Sequence, residues 1–145
     1  MFKYNIINKP KFNIDTSIVD KIFNIIYKII DKKQKWILNI VFLDDDSIKK
    51  LNKDYRKIDK LTDVLSFHYF DSFENLKKND IAWEIILSEN MIKIQALEYW
   101  LWKEKEFYKL LIHSVLHILW YDHENDAEYL VMQNIENIIY NKVFD

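Results

Sequence analysis

Hydrophobic and polar positions divide this chain into short elements of two periods. Phe2 to Asn8 sets β-prone residues in rough alternation and predicts a first strand, ended by Pro10. From Ser17 onward Ile18, Ile22, Ile25, Ile26 and Ile29 recur at helical spacing. That predicts a helix to about Lys32, with Ser17 and Asp20 as its N-terminal capping pair. Trp36 to Leu43 is a compact β-branched run and reads as a strand. Asp44, Asp45 and Asp46 then place negative charge where a helix N-terminus favours it, and Ile48, Leu51 and Tyr55 line one face of a helix to about Arg56. Thr62 to Tyr69 and Ile81 to Ser88 predict two more strands, separated by a polar loop over 70–80. Asn90 to Trp102, Glu104 to Trp120 and Asn125 to Tyr140 predict three helices, the last opened by Asn125 with Glu128 three residues on. Strands toward the front and a helical back half imply an α+β fold. A small mixed β-sheet covered by about five helices is expected, with residues 1–145 forming one domain.

Composition narrows the chemistry. The chain has no glycine, one proline and no cysteine. Glycine-rich nucleotide turns, the Walker P-loop and the G-x-S-x-G nucleophile elbow are therefore excluded. So are disulfides, cysteine-ligated zinc, iron–sulfur clusters and thiol catalysis, which leaves nitrogen and oxygen to hold any metal. A formal net charge of -2 argues against a globally basic nucleic-acid coat, so RNA binding would need a local patch. The longest apolar run, Leu110 to Tyr121, falls short of the ~20 residues a spanning helix needs and contains His113, Ser114 and His117. With no signal-peptide pattern at the start, a cytoplasmic protein that does not engage the membrane is expected.

Three of the four histidines crowd into the pattern H-x3-H-x5-H at His113, His117 and His123. Positions 113 and 117 are i and i+4 within an apolar helical run. Both imidazoles then share a face, with β-carbons about 5–6 Å apart, near enough for one ion. His123 can join them only if the chain turns after His117, and Tyr121-Asp122 is the expected turn. Three neutral imidazoles and a water make a catalytic zinc arrangement. Two histidines so spaced can equally be packed and hydrogen-bonded without metal. Leucine would pack such a helix at less cost, which favours a task for the imidazoles. His68, at the end of a strand, is expected to be structural or exposed.

Arg56 is the single arginine among 21 basic residues. A lysine-biased composition can leave one by chance, but a guanidinium also offers bidentate phosphate or carboxylate binding that an ammonium cannot. It lies among Lys49, Lys50, Lys53, Lys57 and Lys60, against Asp54 and Asp59, the one local concentration able to meet an RNA backbone.

These residues resemble the YbeY family of bacterial rRNA-maturation metalloproteins. Leu51-Asn52-Lys53-Asp54-Tyr55-Arg56, followed by Asp59 to Phe67, resembles the family's L-N-x-x-Y-R-x-x-D-x-P-T-D-V-L-S-F, with Leu61 in place of proline. His113 to His123 resembles H-G-x-L-H-L-x-G-Y-D-H, and Trp83 to Ser88 looks like the G-[DE]-I-V-I-S strand. The resemblance implies one zinc ion per chain on His113, His117 and His123, at the end of a helix in the C-terminal half. It implies Arg56 as the catalytic arginine of a zinc-dependent, single-strand endoribonuclease. By the same resemblance, the partners are single-stranded RNA, rRNA and the small ribosomal subunit, and DNA is not expected. The work implied is maturation of the small-subunit rRNA 3′ end and ribosome quality control.

Two alternatives stand beside that reading. One is a non-catalytic ribosome-assembly factor with a structural zinc, in which Asp122 or Asp126 supplies a fourth ligand. The other is a metzincin-like peptidase, weakened because Ser114 stands where that motif carries its glutamate base. Asp63, Asp122 and Glu84 are candidate partners for the imidazoles. Trp83, Ser114 and Trp120 occupy positions where the resembled motifs have glycine, and so does Trp100 if Tyr99-Trp100 is aligned on the family's Y-G before its last zinc helix. Three tryptophans at such positions predict a source that reads a codon such as UGA as glycine.

Overall fold

The computed structural model describes residues 3–29, 37–68, 81–99, 102–119 and 126–144. Its elements are β1 (Lys3–Ile7), α1 (Thr16–Ile29), β2 (Ile37–Leu43), α2 (Asp45–Arg56), β3 (Val64–His68), β4 (Ile81–Ser88), α3 (Glu89–Glu98), α4 (Lys103–Leu119) and α5 (Asp126–Phe144). The expected α+β architecture is thus observed, as one four-stranded mixed sheet with five helices among the described residues. The expected 70–80 loop and the turn at Tyr121-Asp122 lie outside the described residues.

The sheet order is β1-β2-β4-β3. β1 and β4 flank β2 in parallel, whereas β3 pairs antiparallel with β4 and, among the described residues, forms an edge. β2 is buried on both faces at its five central positions, which is why its sequence is nearly all apolar rather than alternating. Along β2 and β4 the pleat sends Leu38, Ile40, Phe42, Trp83, Ile85 and Leu87 into the larger core, with α1, α4 and α5. Val41 and Ile86 face the other way and meet Ile48 of α2 and Leu65 of β3 in a smaller core. The sheet therefore separates α2 from α4. Among the described residues no helix is long and apolar enough to cross a membrane.

Caps moved two of the expected boundaries. Asp15, not Ser17 with Asp20, caps α1: its carboxylate accepts the Ser17 N–H at 2.9 Å and the Ser17 hydroxyl at 2.6 Å. Asp20 instead accepts the Tyr4 hydroxyl at 2.8 Å. α3 begins at Glu89 because the buried Ser88 hydroxyl accepts the Met91 N–H at 3.0 Å while donating to Asp45 at 2.6 Å. Asp44 caps α2 as its sequence suggests. Without glycine, positive φ falls on other residues, and among the described ones these are Asn8 at 56° and Lys57 at 61°. Tyr55 departs from its expected place on the buried face of α2: it is 68% exposed. His68 closes β3 as expected, paired in register with Trp83.

Candidate active site

α4 runs through the larger core, and from Glu106 to Leu119 every residue is buried except Lys109, His113 and His117. These three follow at i, i+4 and i+8, so they form one accessible ridge on an otherwise enclosed helix. The imidazoles thus sit where solvent and ligand can reach them. Their rings lie nearly parallel, 12° apart in plane and 6.4 Å between centroids.

His113 Nδ1 is hydrogen-bonded to the Glu136 carboxylate of α5. An ionised carboxylate only accepts, so Nδ1 carries the proton, and in the neutral ring the lone pair is left on Nε2. This bond is the main reason the His113 pKa is raised above its ordinary value. Burial opposes the rise, the charges of Glu136 and Asp63 add to it, and Lys109 counters them. Glu136 was not among the expected partners. Its signal is legible in retrospect, because Met132, Ile139 and Val143 are buried at spacings that put Glu136 on the same stripe of α5. Like the histidines, Glu136 is a polar side chain in a segment otherwise rich in apolar residues.

The expected partners fare differently. Asp63 lies beside the histidines, its carboxylate fixed by Gln95 Nε2 at 3.1 Å and its carbonyl accepting the Ser88 N–H at 3.0 Å. Glu84 alternates with Trp83 and Ile85 along β4, so it projects from the sheet face opposite α4 and cannot serve the imidazoles. Asp122 and the Asp126 side chain lie outside the described residues, as does His123.

Arg56 reaches the same place from the other side of the sheet. It ends α2, where Lys57 turns left-handed and donates its N–H to Lys53. Buried Asn52 ties the outgoing loop back by donating from Nδ2 to the Lys60 carbonyl at 2.8 Å. Because β3 is the sheet edge, a side chain at the end of α2 can meet the ridge of α4 around it. The result is a cleft of about 360 Å³ lined by Arg56, Thr62, Asp63, Ser66, His113 and His117, among others. Ion pairs among the described residues join Lys49 to Asp59, Lys93 to Glu89 and His113 to Glu136, and Arg56 takes part in none of them.

The donor set suits a borderline metal such as zinc as far as it is described: two imidazoles on one ridge, one of them oriented by a carboxylate. Among the described residues no three histidine, aspartate or glutamate side chains assemble as a metal site. Ser114, beside His113, is buried with its hydroxyl unpartnered among the described residues, and it presents no general base.

Comparison with known proteins gives a consistent picture. The family model described as Endoribonuclease YbeY matches residues 5–144. A protein of Acholeplasma laidlawii named Endoribonuclease YbeY is 36% identical over 132 residues, covering 91% of each chain. Namesakes from Caldicellulosiruptor saccharolyticus and Clostridioides difficile are 36% and 32% identical, covering 90% and 93% of this chain and 90% and 92% of theirs. The solution structure of TM1509 from Thermotoga maritima superposes with a TM-score of 0.62 at 25% identity, over 99% of this chain and 89% of that one.

Proposed function

This chain belongs to the YbeY endoribonuclease family, and from that premise we propose that it is a zinc-dependent endoribonuclease acting on single-stranded RNA. Its substrate in this reading is the 3′ end of small-subunit rRNA, met on the small ribosomal subunit in the cytoplasm, during maturation and quality control. One observation carries the proposal: a single cleft brings Arg56 together with His113 and His117. A guanidinium in no ion pair among the described residues, beside two accessible imidazoles, is a donor set for a phosphodiester, with one cation for its oxygens and nitrogen ligands for a metal.

His113, His117 and His123 would hold one zinc ion. When bound, that ion supplies a Lewis acid for a phosphate oxygen or for the attacking water. Arg56 binds two phosphate oxygens through its planar fork and neutralises charge that grows on them as the bond breaks. Glu136 holds the His113 proton on Nδ1, which keeps Nε2 as the donor atom. Asp63, held by Gln95, keeps a fixed negative charge beside His113 and raises the basicity of that ring.

The test is metal content and cleavage of a single-stranded RNA by the purified chain and two variants. About one zinc per chain, lost in His117→Ala, is expected. Arg56→Ala is expected to retain zinc and lose cleavage. Unchanged cleavage in both variants would refute the enzyme reading, because the activity would then belong to a contaminant.

A further inference from the structure

Tyr55 breaks the pattern of its own helix. Ile48 and Leu51 turn inward from α2, yet Tyr55, placed by spacing on the same face, leaves 68% of its surface in solvent. The ring is nonetheless held. It packs edge to face against Phe67 of β3, with centroids 5.4 Å apart and planes at 72°. Phe67 is itself seated on the smaller core beside Leu65. A ring fixed on one side and so widely exposed keeps a π surface open.

Its surroundings decide what that surface suits. Residues 49–60 carry six basic side chains against two acidic ones, in a chain whose net charge is -2. One of the two acids, Asp59, lies 3.9 Å from Lys49. Tyr55 directly precedes Arg56, so their Cα atoms are about 3.8 Å apart. An apolar protein partner would want a contiguous apolar patch, whereas the residues flanking Tyr55 in sequence are Lys53, Asp54, Arg56 and Lys57, with Ile58, 40% exposed, the nearest exposed apolar side chain along the chain. An open aromatic face within a positive field is the combination that binds single-stranded nucleic acid, the base stacking and the phosphates meeting the cations.

We propose that Tyr55 is a nucleobase-stacking platform: the base of a nucleotide adjoining the phosphate held by Arg56 stacks on its ring. The inference rests on the single-stranded RNA reading above and gives that reading a source of selectivity. A base inside a duplex has both faces covered by its neighbours and cannot stack on the ring, so only an unpaired strand satisfies both residues. Stacking also tolerates any base, since each has a π face.

The experiment uses the full chain and a single-stranded RNA containing 2-aminopurine, whose fluorescence falls on stacking. Tyr55→Ala is expected to weaken binding about tenfold, equivalent to ~1.4 kcal/mol, and to abolish the quenching that the unsubstituted chain produces. Tyr55→Phe and Tyr55→Trp are expected to retain both, because they keep the ring. Wild-type affinity and quenching in Tyr55→Ala, with RNA cleavage intact in the unsubstituted chain, would overturn the platform and leave the endoribonuclease reading standing. Equal loss in the Ala, Phe and Trp variants would overturn it too, since an aromatic face would then be irrelevant. An unsubstituted chain that neither binds nor cleaves RNA would overturn both readings together.

Discussion

Replacing Glu136 first by Gln and then by Ala is expected to loosen the proposed metal centre in two steps. Gln keeps an acceptor for the His113 Nδ1–H and loses only the charge. Hydrogen bonds to charged groups contribute ~1.5–3 kcal/mol and neutral ones ~0.5–1.5, so the first step removes about 1 kcal/mol, or roughly fivefold in zinc affinity. Ala removes the acceptor altogether, and loss of such a partner typically costs 10–100-fold. The His113 side chain is 42% exposed and that of Glu136 23%, so water screens the pair and the lower end, about tenfold, applies. The pH must be chosen with care. Glu136 raises the His113 pKa, so below that raised value protons compete with zinc, and removing Glu136 partly relieves the competition. Above it the ring is neutral in every variant, and only its orientation differs. The assay is therefore a zinc competition titration against a chromophoric chelator at alkaline pH, with circular dichroism to verify folding. A folded Glu136→Ala chain that holds zinc within twofold of the unsubstituted one would refute the orienting role.

Glu106 lies on α4 at 2% exposure, with Oε2 unpartnered among the described residues; burial pushes its pKa up, Lys109 partly offsets this, and Asp63 adds to the rise. The folded chain thus binds a proton that the unfolded chain releases, and stability falls as pH rises from the ordinary glutamate range, about pH 4, through the raised value. Glu106→Gln is expected to flatten that slope in urea titrations across pH and to gain about 1 kcal/mol at neutral pH; an unchanged slope contradicts the assignment. Lys57→Gly relieves a left-handed backbone that costs a side-chain-bearing residue about 1–2 kcal/mol, and after the entropy glycine adds to the unfolded chain a net gain below ~1 kcal/mol in thermal unfolding is expected. Trp83 is 4% exposed within the larger core, so Trp83→Gly is expected to cost about 3–5 kcal/mol or more in denaturant titration. The expectation of a reassigned glycine codon is checked separately, by reading the gene: UGG at all five tryptophans would end it.

Much of this protein is local, and much of what is local is legible, although the Asp15 and Ser88 caps are not among it. The apolar run from Ile81 to Ser88, broken only by Glu84, marks β4 with the bounds observed, and the i, i+4 spacing puts His113 and His117 on one face of α4 because helix geometry leaves no alternative. The Asp44 cap could be read for the same reason, since a carboxylate three residues before Ser47 needs nothing beyond its own turn. Other features needed the tertiary structure. The hydrophobic pattern turned Tyr55 inward, but the core under α2 ends at Leu51 and leaves the ring to Phe67 on a neighbouring strand. Glu84 looked as available as Asp63 until the pleat of β4 set it on the far face of the sheet. Glu136 meets His113 only because α5 packs against α4, and no spacing within one element specifies that distance. Arg56 and the histidines belong to opposite faces of the sheet, and their union depends on β3 being its edge. Periodicity determines which side of an element is buried. Which side chains meet across elements is decided by strand order, edge and helix packing, because those contacts depend on the whole chain closing around one core.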